Sequence, residues 1–581
     1  MSYAAKAEAD KLPGWRATVL FAVLLAGLAA LVGRAVYLQG IHNDFLQEQG
    51  NQRFNRVMEV SAHRGMITDR NGAPLAVSTP VESVWASASE IKIDDPQAAK
   101  LGERDLKKLA QALGMPEAEI RRRLSDATRD FVYLKRQIPP EESARVESLN
   151  LPGIFMQHEY RRYYPEGEEF AQVLGFTGQD DIGQEGLELA LQNKLAGRPG
   201  SQRVIKDRRG HIVEDAGSLT PPKPGADIAL SLDSRMQHLA YRELALAVKE
   251  HQAKAGAIVV LDAKSGEVLA LADYPSYNPN NHEKVSPQRM RNRAETDEFE
   301  PGSTMKPFTI GTALNLGKVT PNTEINTENG VFTLGNRKIH DTHPEPMLTV
   351  SQVIQKSSNV GASKISLMLD PESLWQTFHL AGFGAHTGSD FPGEATGRLR
   401  DARTWKPIEQ ATMSYGHGIS VNLLQLARAY TIFADGGELL PVSLLKLNQP
   451  AVGHQVFSKK TADELKPMLE SVVLPGGTAP LAQVAGYRVA GKTGTAHKLE
   501  GGHYVNRYVA SFVGIAPVSS PRLIVAVMID EPSGKEYYGG QVAAPVFSRV
   551  MGGALHMLNV PNDAPLDNVI PPPAEIIKEE V

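Results

Sequence analysis

The sequence predicts an α+β protein: one sheet closed by strands from distant parts of the chain, a helical lobe inserted between them, a mixed front region, and an apolar N-terminal helix. Three observations carry this prediction. Two apolar runs, Ala257–Asp262 and Glu267–Leu271, flank Ala263-Lys264-Ser265-Gly266, a hairpin signal. Two further strand-like runs, Tyr508–Ile515 and Leu523–Ile529, come near the C-terminus, with a shorter one at Tyr487–Gly491 before them. The long stretch between the hairpin and these strands reads as mostly helical, so the first and last strands would form one sheet around an inserted lobe.

The elements follow in chain order. Residues 1–16 carry Lys6, Lys11 and Arg16 ahead of the uncharged run Ala17–Gly33. At 1.5 Å per residue that run covers roughly 26 Å, and Ala35 to Leu38 extend it past Arg34, which can snorkel to the headgroups. We read 17–38 as an uncleaved transmembrane anchor with the N-terminus in the cytoplasm, because basic residues stay inside and no A-x-A cleavage pattern lies in the run. Residues 39–60 are polar and read as a helical stalk. From 61 to 220 the pattern is mixed: Arg70-Asn71-Gly72 is a turn before the strand-like Leu75-Ala76-Val77, and 100–125 has helical periodicity through Leu106–Leu113. Pro221-Pro222-Lys223-Pro224-Gly225 marks a boundary, with a second domain expected over 226–556. Residues 560–581, with three consecutive prolines at 571–573 and Glu579-Glu580, read as a disordered tail.

Composition narrows the function. The chain has 581 residues, 42% hydrophobic and 22% charged, with a net charge of −5, a length for two to four domains and a balance that points away from nucleic-acid binding. It has no cysteine, which excludes disulfides, thiolate metal sites and cysteine nucleophiles. His340, His343 and His503 fit no metal-ligand spacing, and no cofactor is expected.

Three short signatures stand in order: Ser303-Thr304-Met305-Lys306, Ser357-Ser358-Asn359, and Lys492-Thr493-Gly494-Thr495. Each pattern recurs elsewhere: Ser89 with Lys92, Ser276 with Asn278, Ser420 with Asn422, and Lys264-Ser265-Gly266. Setting separates them. Ser303 follows Pro301-Gly302 and opens a helix-like run, which puts Lys306 on the same face one turn on. Lys492 closes a strand that two further strands follow. Singly, Ser303 reads as a helix N-cap, Ser357 and Asn359 as turn formers, and Thr493 and Thr495 as strand residues.

Together they describe acyl transfer. A serine hydroxyl needs a base, and Lys306 can serve only as a neutral amine, which burial and a second cation, Lys492, would favour. Ser357 can relay protons, and Asn359 can hold Lys306 and contact substrate backbone. The backbone N–H groups of Ser303 and Thr495 are the natural oxyanion donors. Lys492, Thr493 and Thr495, around Gly494, offer a cation and two hydroxyls to a substrate carboxylate.

The three signatures are those of penicillin-binding proteins and β-lactamases, and the chain resembles a class B penicillin-binding protein. The likeness extends to Arg64–Gly72, Arg161–Pro165, Gly186-Leu187-Glu188, Asp207–Gly210, Asn292-Arg293-Ala294, Phe299–Gly302, Tyr538-Gly539-Gly540 and Ala544–Phe547. It covers residues 60–560 and is greatest to the division-specific transpeptidase of proteobacteria. The resemblance implies a five-stranded antiparallel sheet flanked by helices, with an elongated pedestal domain in front. It implies a periplasmic D,D-transpeptidase that cross-links stem peptides at the septum, acylated by β-lactams at Ser303. It also implies a lipid-linked peptidoglycan polymerase and other division proteins as partners. His417, in Tyr415-Gly416-His417-Gly418, stands where the family usually has tyrosine.

Four rival readings compete with this one. A β-lactamase is usually a soluble single domain, unlike this anchored chain. A bifunctional glycan polymerase would need a Glu-Asp signature that the front region lacks. A β-lactam-binding scaffold or sensor, and the elongation-type transpeptidase, stay open as alternatives.

Overall fold

The computed structural model describes residues 14–41, 55–91, 101–126, 128–129, 131–206, 212–449, 451–571 and 577–578. Within them the chain divides into two compact units, one of residues 1–62, 80–159 and 198–223, the other of 63–79, 160–197 and 224–581.

In the first unit, Gly14–Val36 is a 23-residue helix with no buried residue, continued by a π-turn at Tyr37–Ile41. Its Leu, Val and Phe side chains point outward all round, as a helix in lipid requires, and the Arg34 guanidinium lies 5.4 Å from the Tyr37 ring centroid. The helix is long and apolar enough to cross a membrane. Further on, helices Glu103–Leu113 and Glu117–Leu124 bury Leu106, Leu109, Leu113, Ile120 and Leu124 with Val84, Leu134 and Ile138. The predicted periodicity of 100–125 thus becomes two helices, parted where Gly114 takes a left-handed φ of 60° and Pro116 follows. The helical stalk expected over 39–60 needs correction. Asn55–Val60 is a strand in a three-stranded antiparallel sheet with Gly200–Lys206 and Ile212–Thr220, while 42–54 lies outside the described residues.

Within the front region expected at 61–220, residues 63–79 and 160–197 pack with the second unit. Buried charge explains why. Glu188, fully buried, accepts from Arg64 Nε at 2.8 Å and from Arg162 Nε at 2.6 Å. Arg64 also donates to Gln192 Oε1 and to the carbonyls of Asp181 and Glu188. Breaking one partner out of such a cluster strands a buried charge, at about 3–5 kcal/mol, so these segments stay together. Asp69 adds a second tie. One carboxylate oxygen holds the amides of Asn71 and Ala73 in the predicted turn, and the other accepts from Ser234 N and Oγ.

The rest of this unit is built on one antiparallel sheet. In chain order its elements are α1 (Ser234–Glu250), β1 (Ala255–Asp262), β2 (Val268–Tyr274), α2 (Lys306–Asn315), α3 (Val350–Lys356), α4 (Asn359–Ser366), α5 (Lys459–Ser471), β3 (Ala490–Glu500), β4 (His503–Ala516), β5 (Leu523–Asp530) and α6 (Ala544–Met557). The strand order is β2-β1-β5-β4-β3, so β1 sits beside β5, a strand from the far end of the chain. β1 and β5 are buried along their whole length, which requires cover on both faces. α1 and α6 form one layer, and Arg293–Thr296 with Leu423–Ala429 belongs to the other. The lobe between β2 and β3 carries α2 to α5.

Two boundaries differ from expectation. The short strand read at Tyr487–Gly491 is β3, running from Ala490 to Glu500, so Lys492 lies inside a strand rather than at its end. The tail expected to be disordered from 560 is bonded to the body as far as 570. Asp563 accepts from Arg488 N and Ser519 N, Ala564 N donates to Gly486 O, and Ile570 N donates to Gln483 Oε1. Backbone partners outweigh the polar composition there. Residues 572–576 and 579–581 lie outside the described residues.

Candidate active site

Ser303 sits on a 3-10 turn, Gly302–Met305, that runs into α2. Pro307 is tolerated in the first turn because its missing N–H would have had no intrahelical acceptor. The three-residue step brings Lys306 under Ser303, with Lys306 Nζ 2.8 Å from Ser303 Oγ.

Ser357 ends α3 with a left-handed φ of 61°, and Ser358 caps α4 by accepting from Gly361 N. That bend turns the Ser357 hydroxyl toward the lysine. Lys306 Nζ donates to Ser357 O at 2.6 Å and to its Oγ at 3.0 Å. Asp341 fixes the bend from outside, accepting from Ser358 Oγ and from Val360 N at 2.9 Å. Burial raises the Asp341 carboxyl above its ordinary range, against the hydrogen bonds from Ser358 and Val360. Asn359 is the first residue of α4 and is buried.

The third wall is β3, the edge strand of the sheet. Lys492 Nζ donates to Ser357 Oγ at 2.8 Å and to Thr493 Oγ1 at 3.1 Å. Both lysines are fully buried and converge on one hydroxyl, an arrangement that favours a neutral amine. Thr493 Oγ1 lies 2.7 Å from Thr478 Oγ1, and Thr495 Oγ1 accepts from Gly539 N at 3.0 Å. Gly494 lets the strand approach the nucleophile turn: a Cβ there would stand 2.6 Å from Ser511 Oγ and 2.7 Å from Pro301 O. Gly302, at φ +56°, brings the turn against Thr495 in the same way.

The structure therefore gathers Ser303, Lys306, Ser357 and Lys492 into one hydrogen-bonded chain and sets Thr493, Gly494 and Thr495 beside it. The recurring patterns go elsewhere. Ser276 Oγ donates to Glu168 O, Asn422 caps a helix through Gln425 N, and Lys264 sits in the β1–β2 turn facing Asp435. Ser89 falls in a short helix of the other unit, and Lys92 lies outside the described residues. Among the described residues no three His, Cys, Asp or Glu side chains gather as metal ligands.

Two participants carry no sequence signal. Thr478 and Asp341 lie outside any motif. Glu300, just before the nucleophile turn, accepts from Gly418 N at 2.8 Å and from Tyr504 Oη at 3.1 Å. His417 packs against Tyr415 at 5.1 Å and Tyr504 at 6.0 Å between ring centroids. Desolvation, the largest cause, pushes its imidazole down to about 4, so it is neutral at pH 7.

A serine joined to a buried lysine base, opposite an edge strand bearing a second lysine and two threonines, defines an active-site-serine acyltransferase. Comparison with known proteins agrees. The family model described as penicillin binding protein transpeptidase domain matches residues 256–552, and that of the penicillin-binding protein dimerisation domain matches 59–230. The chain is 46% identical to the "Probable peptidoglycan D,D-transpeptidase PenA" of Neisseria meningitidis, over 94% of this chain and 92% of that protein. It is 43% identical to the peptidoglycan D,D-transpeptidase FtsI of Escherichia coli K12, over 95% and 93%. The solved transpeptidase domain of Burkholderia pseudomallei penicillin-binding protein 3 is 51% identical, with a TM-score of 0.54, covering 58% of this chain and 98% of that one. The chain belongs to the penicillin-binding protein transpeptidase family.

Proposed function

We propose that this protein is a peptidoglycan D,D-transpeptidase that cross-links stem peptides at the division septum through an acyl-enzyme on Ser303. The observation that carries the reading is the chain of hydrogen bonds from Ser303 Oγ through Lys306 Nζ and Ser357 Oγ to Lys492 Nζ. Neutral Lys306 takes the Ser303 proton as Oγ attacks the carbonyl of the penultimate D-alanine. The backbone N–H groups of Ser303 and Thr495 stabilise the oxyanion. Ser357 passes the proton to the departing D-alanine amine as the peptide C–N bond breaks. An acceptor amine from a second stem peptide then attacks the ester and frees Ser303. Asn359 contacts the donor peptide's backbone, while Lys492, Thr493 and Thr495 bind its terminal carboxylate. A β-lactam enters by the same attack, but its opened ring stays tethered and blocks the acceptor.

The apolar helix Gly14–Val36 is the inner-membrane anchor, with Lys6, Lys11 and Arg16 on the cytoplasmic side and the catalytic unit in the periplasm. A lipid-linked peptidoglycan polymerase and other division proteins are its working partners. Intact-mass spectrometry of the full chain in detergent with penicillin tests the nucleophile. One stable adduct on the wild type and none on Ser303→Ala is expected. Rapid drug turnover would mean a hydrolase, and no adduct would mean a scaffold.

A further inference from the structure

Beyond the catalytic chain, one residue near the C-terminal end touches both sides of the site. Lys578 N donates to His343 Nε2 at 3.1 Å, and Lys578 Nζ lies 5.9 Å from the centroid of the Tyr538 ring. These partners belong to opposite walls. His343 is two residues beyond Asp341, whose carboxylate holds Ser358 and Val360 and so fixes the bend that presents Ser357. Tyr538 precedes Gly539, whose N–H donates to Thr495 Oγ1 on β3. Lys306 is bonded to Ser357 on the lobe side, and Gly302, next to Ser303, stands against Thr495 of β3, so a residue that meets both His343 and Tyr538 touches the two walls that flank Ser303.

We propose that the segment at Ile577 and Lys578 is an autoinhibitory strap across the mouth of the cleft, held by the His343 imidazole on the lobe side and the Tyr538 ring on the sheet side. Both holds are light. A backbone hydrogen bond to an imidazole and an exposed cation–π contact each bias an equilibrium about two- to tenfold. Lys578 is exposed, while Ile577 is half-buried. A strap of this strength slows entry without abolishing it, and an extended donor peptide taking its place along β3 displaces it. The body does not depend on it, because the segment up to Ile570 has its own bonds to Gln483, Gly486 and Arg488.

The test uses the full chain in detergent, whose lack of cysteine makes labelling clean. His343→Cys combined with Lys578→Cys is joined by a short bis-maleimide, and the second-order acylation rate by a fluorescent penicillin is measured before and after. A chain ending at residue 571 is measured beside it. The strap predicts efficient cross-linking, acylation slowed about tenfold or more once joined, and acylation by the shortened chain about threefold faster than the full chain. His343→Ala should accelerate the full chain and leave the shortened one unchanged. Failure of the cysteines to cross-link, or equal acylation in all forms, would overturn the strap. The proposal rests on Ser303 as nucleophile; if no form were acylated, that reading would fail, while the cross-linking yield would still decide whether the contact exists.

Discussion

Gly416 offers a sharp test of how the nucleophile is positioned. Its φ is +89°, and a Cβ at that position would stand 2.2 Å from the carbonyl oxygen of Gly302, 2.5 Å from its nitrogen and 2.7 Å from its carbonyl carbon. Ordinary carbon contacts begin near 3.5 Å, so Gly416→Ala must separate the two backbones by about 1 Å. Neither neighbour is a flexible side chain that could swing away. Gly302 is bonded directly to Ser303, so the shift falls on the 2.8 Å contact between Ser303 Oγ and Lys306 Nζ. Proton transfer requires roughly 2.6–3.2 Å, and a 1 Å misplacement costs on the order of 10²-fold. Gly388 supplies the control: its φ is +85° and nothing lies within 4 Å of a Cβ there, so Gly388→Ala carries only the backbone strain of about 1–2 kcal/mol. The assay is the second-order rate of acylation by a fluorescent penicillin, with thermal unfolding alongside. Gly416→Ala should lose about 10²-fold in rate while Gly388→Ala keeps the wild-type rate. If both acylate within about threefold of wild type, contact between the 416 loop and Gly302 does not set the position of Ser303.

Other outcomes follow from the same geometry. Ser357→Ala removes the one hydroxyl shared by Lys306 and Lys492 and should lower acylation by about 10²-fold or more without loss of the fold, measured by the same penicillin assay and circular dichroism. Glu188→Gln leaves Arg64 and Arg162 buried without their carboxylate and should destabilise the unit by about 3–5 kcal/mol in urea unfolding; a loss under about 1 kcal/mol would refute a structural role for the cluster. Burial pushes the carboxyls of Asp273 and Glu295 up to about 8. Each therefore holds a proton in the fold that the unfolded chain releases near pH 4, so stability is full below about pH 4 and is lost as pH rises through about 8. Asp273→Asn should flatten the decline of Tm between about pH 5 and 9, and an unchanged slope would show that Asp273 does not titrate there.

What was legible in the sequence was local. The β1–β2 hairpin, the strands near 508 and 523, the helix after Ser303 and the three signatures each rest on spacing within about a dozen residues. Their assembly was read only because three weak patterns occurred in a fixed order. The rest is carried by long-range partners. Thr478 and Asp341 are ordinary residues until the fold sets them against Thr493 and Ser358. The same limit hides which parts of the front region pack with which unit. Prolines at 221–224 mark a break in the chain, but Arg64 and Arg162 reach a carboxylate at 188 and bind their segments to the catalytic unit. In the tail, composition registers the polarity of 560–570 but not the amides from which its Asp563 and Asn568 accept.

The strand order has a consequence for biogenesis. β1 finds its partner β5 about 260 residues later in the chain, with Asp262 opposite Leu523 and Ala255 opposite Asp530. Lys492 stands on the other side of that late strand, beyond β4. Synthesis runs from the N-terminus, so Ser303 is made long before Lys492. The sheet, and with it the wall that faces Ser303, is thus incomplete until nearly the whole length has been made, and a product broken off before residue 490 would carry Ser303 without the strand that bears Lys492.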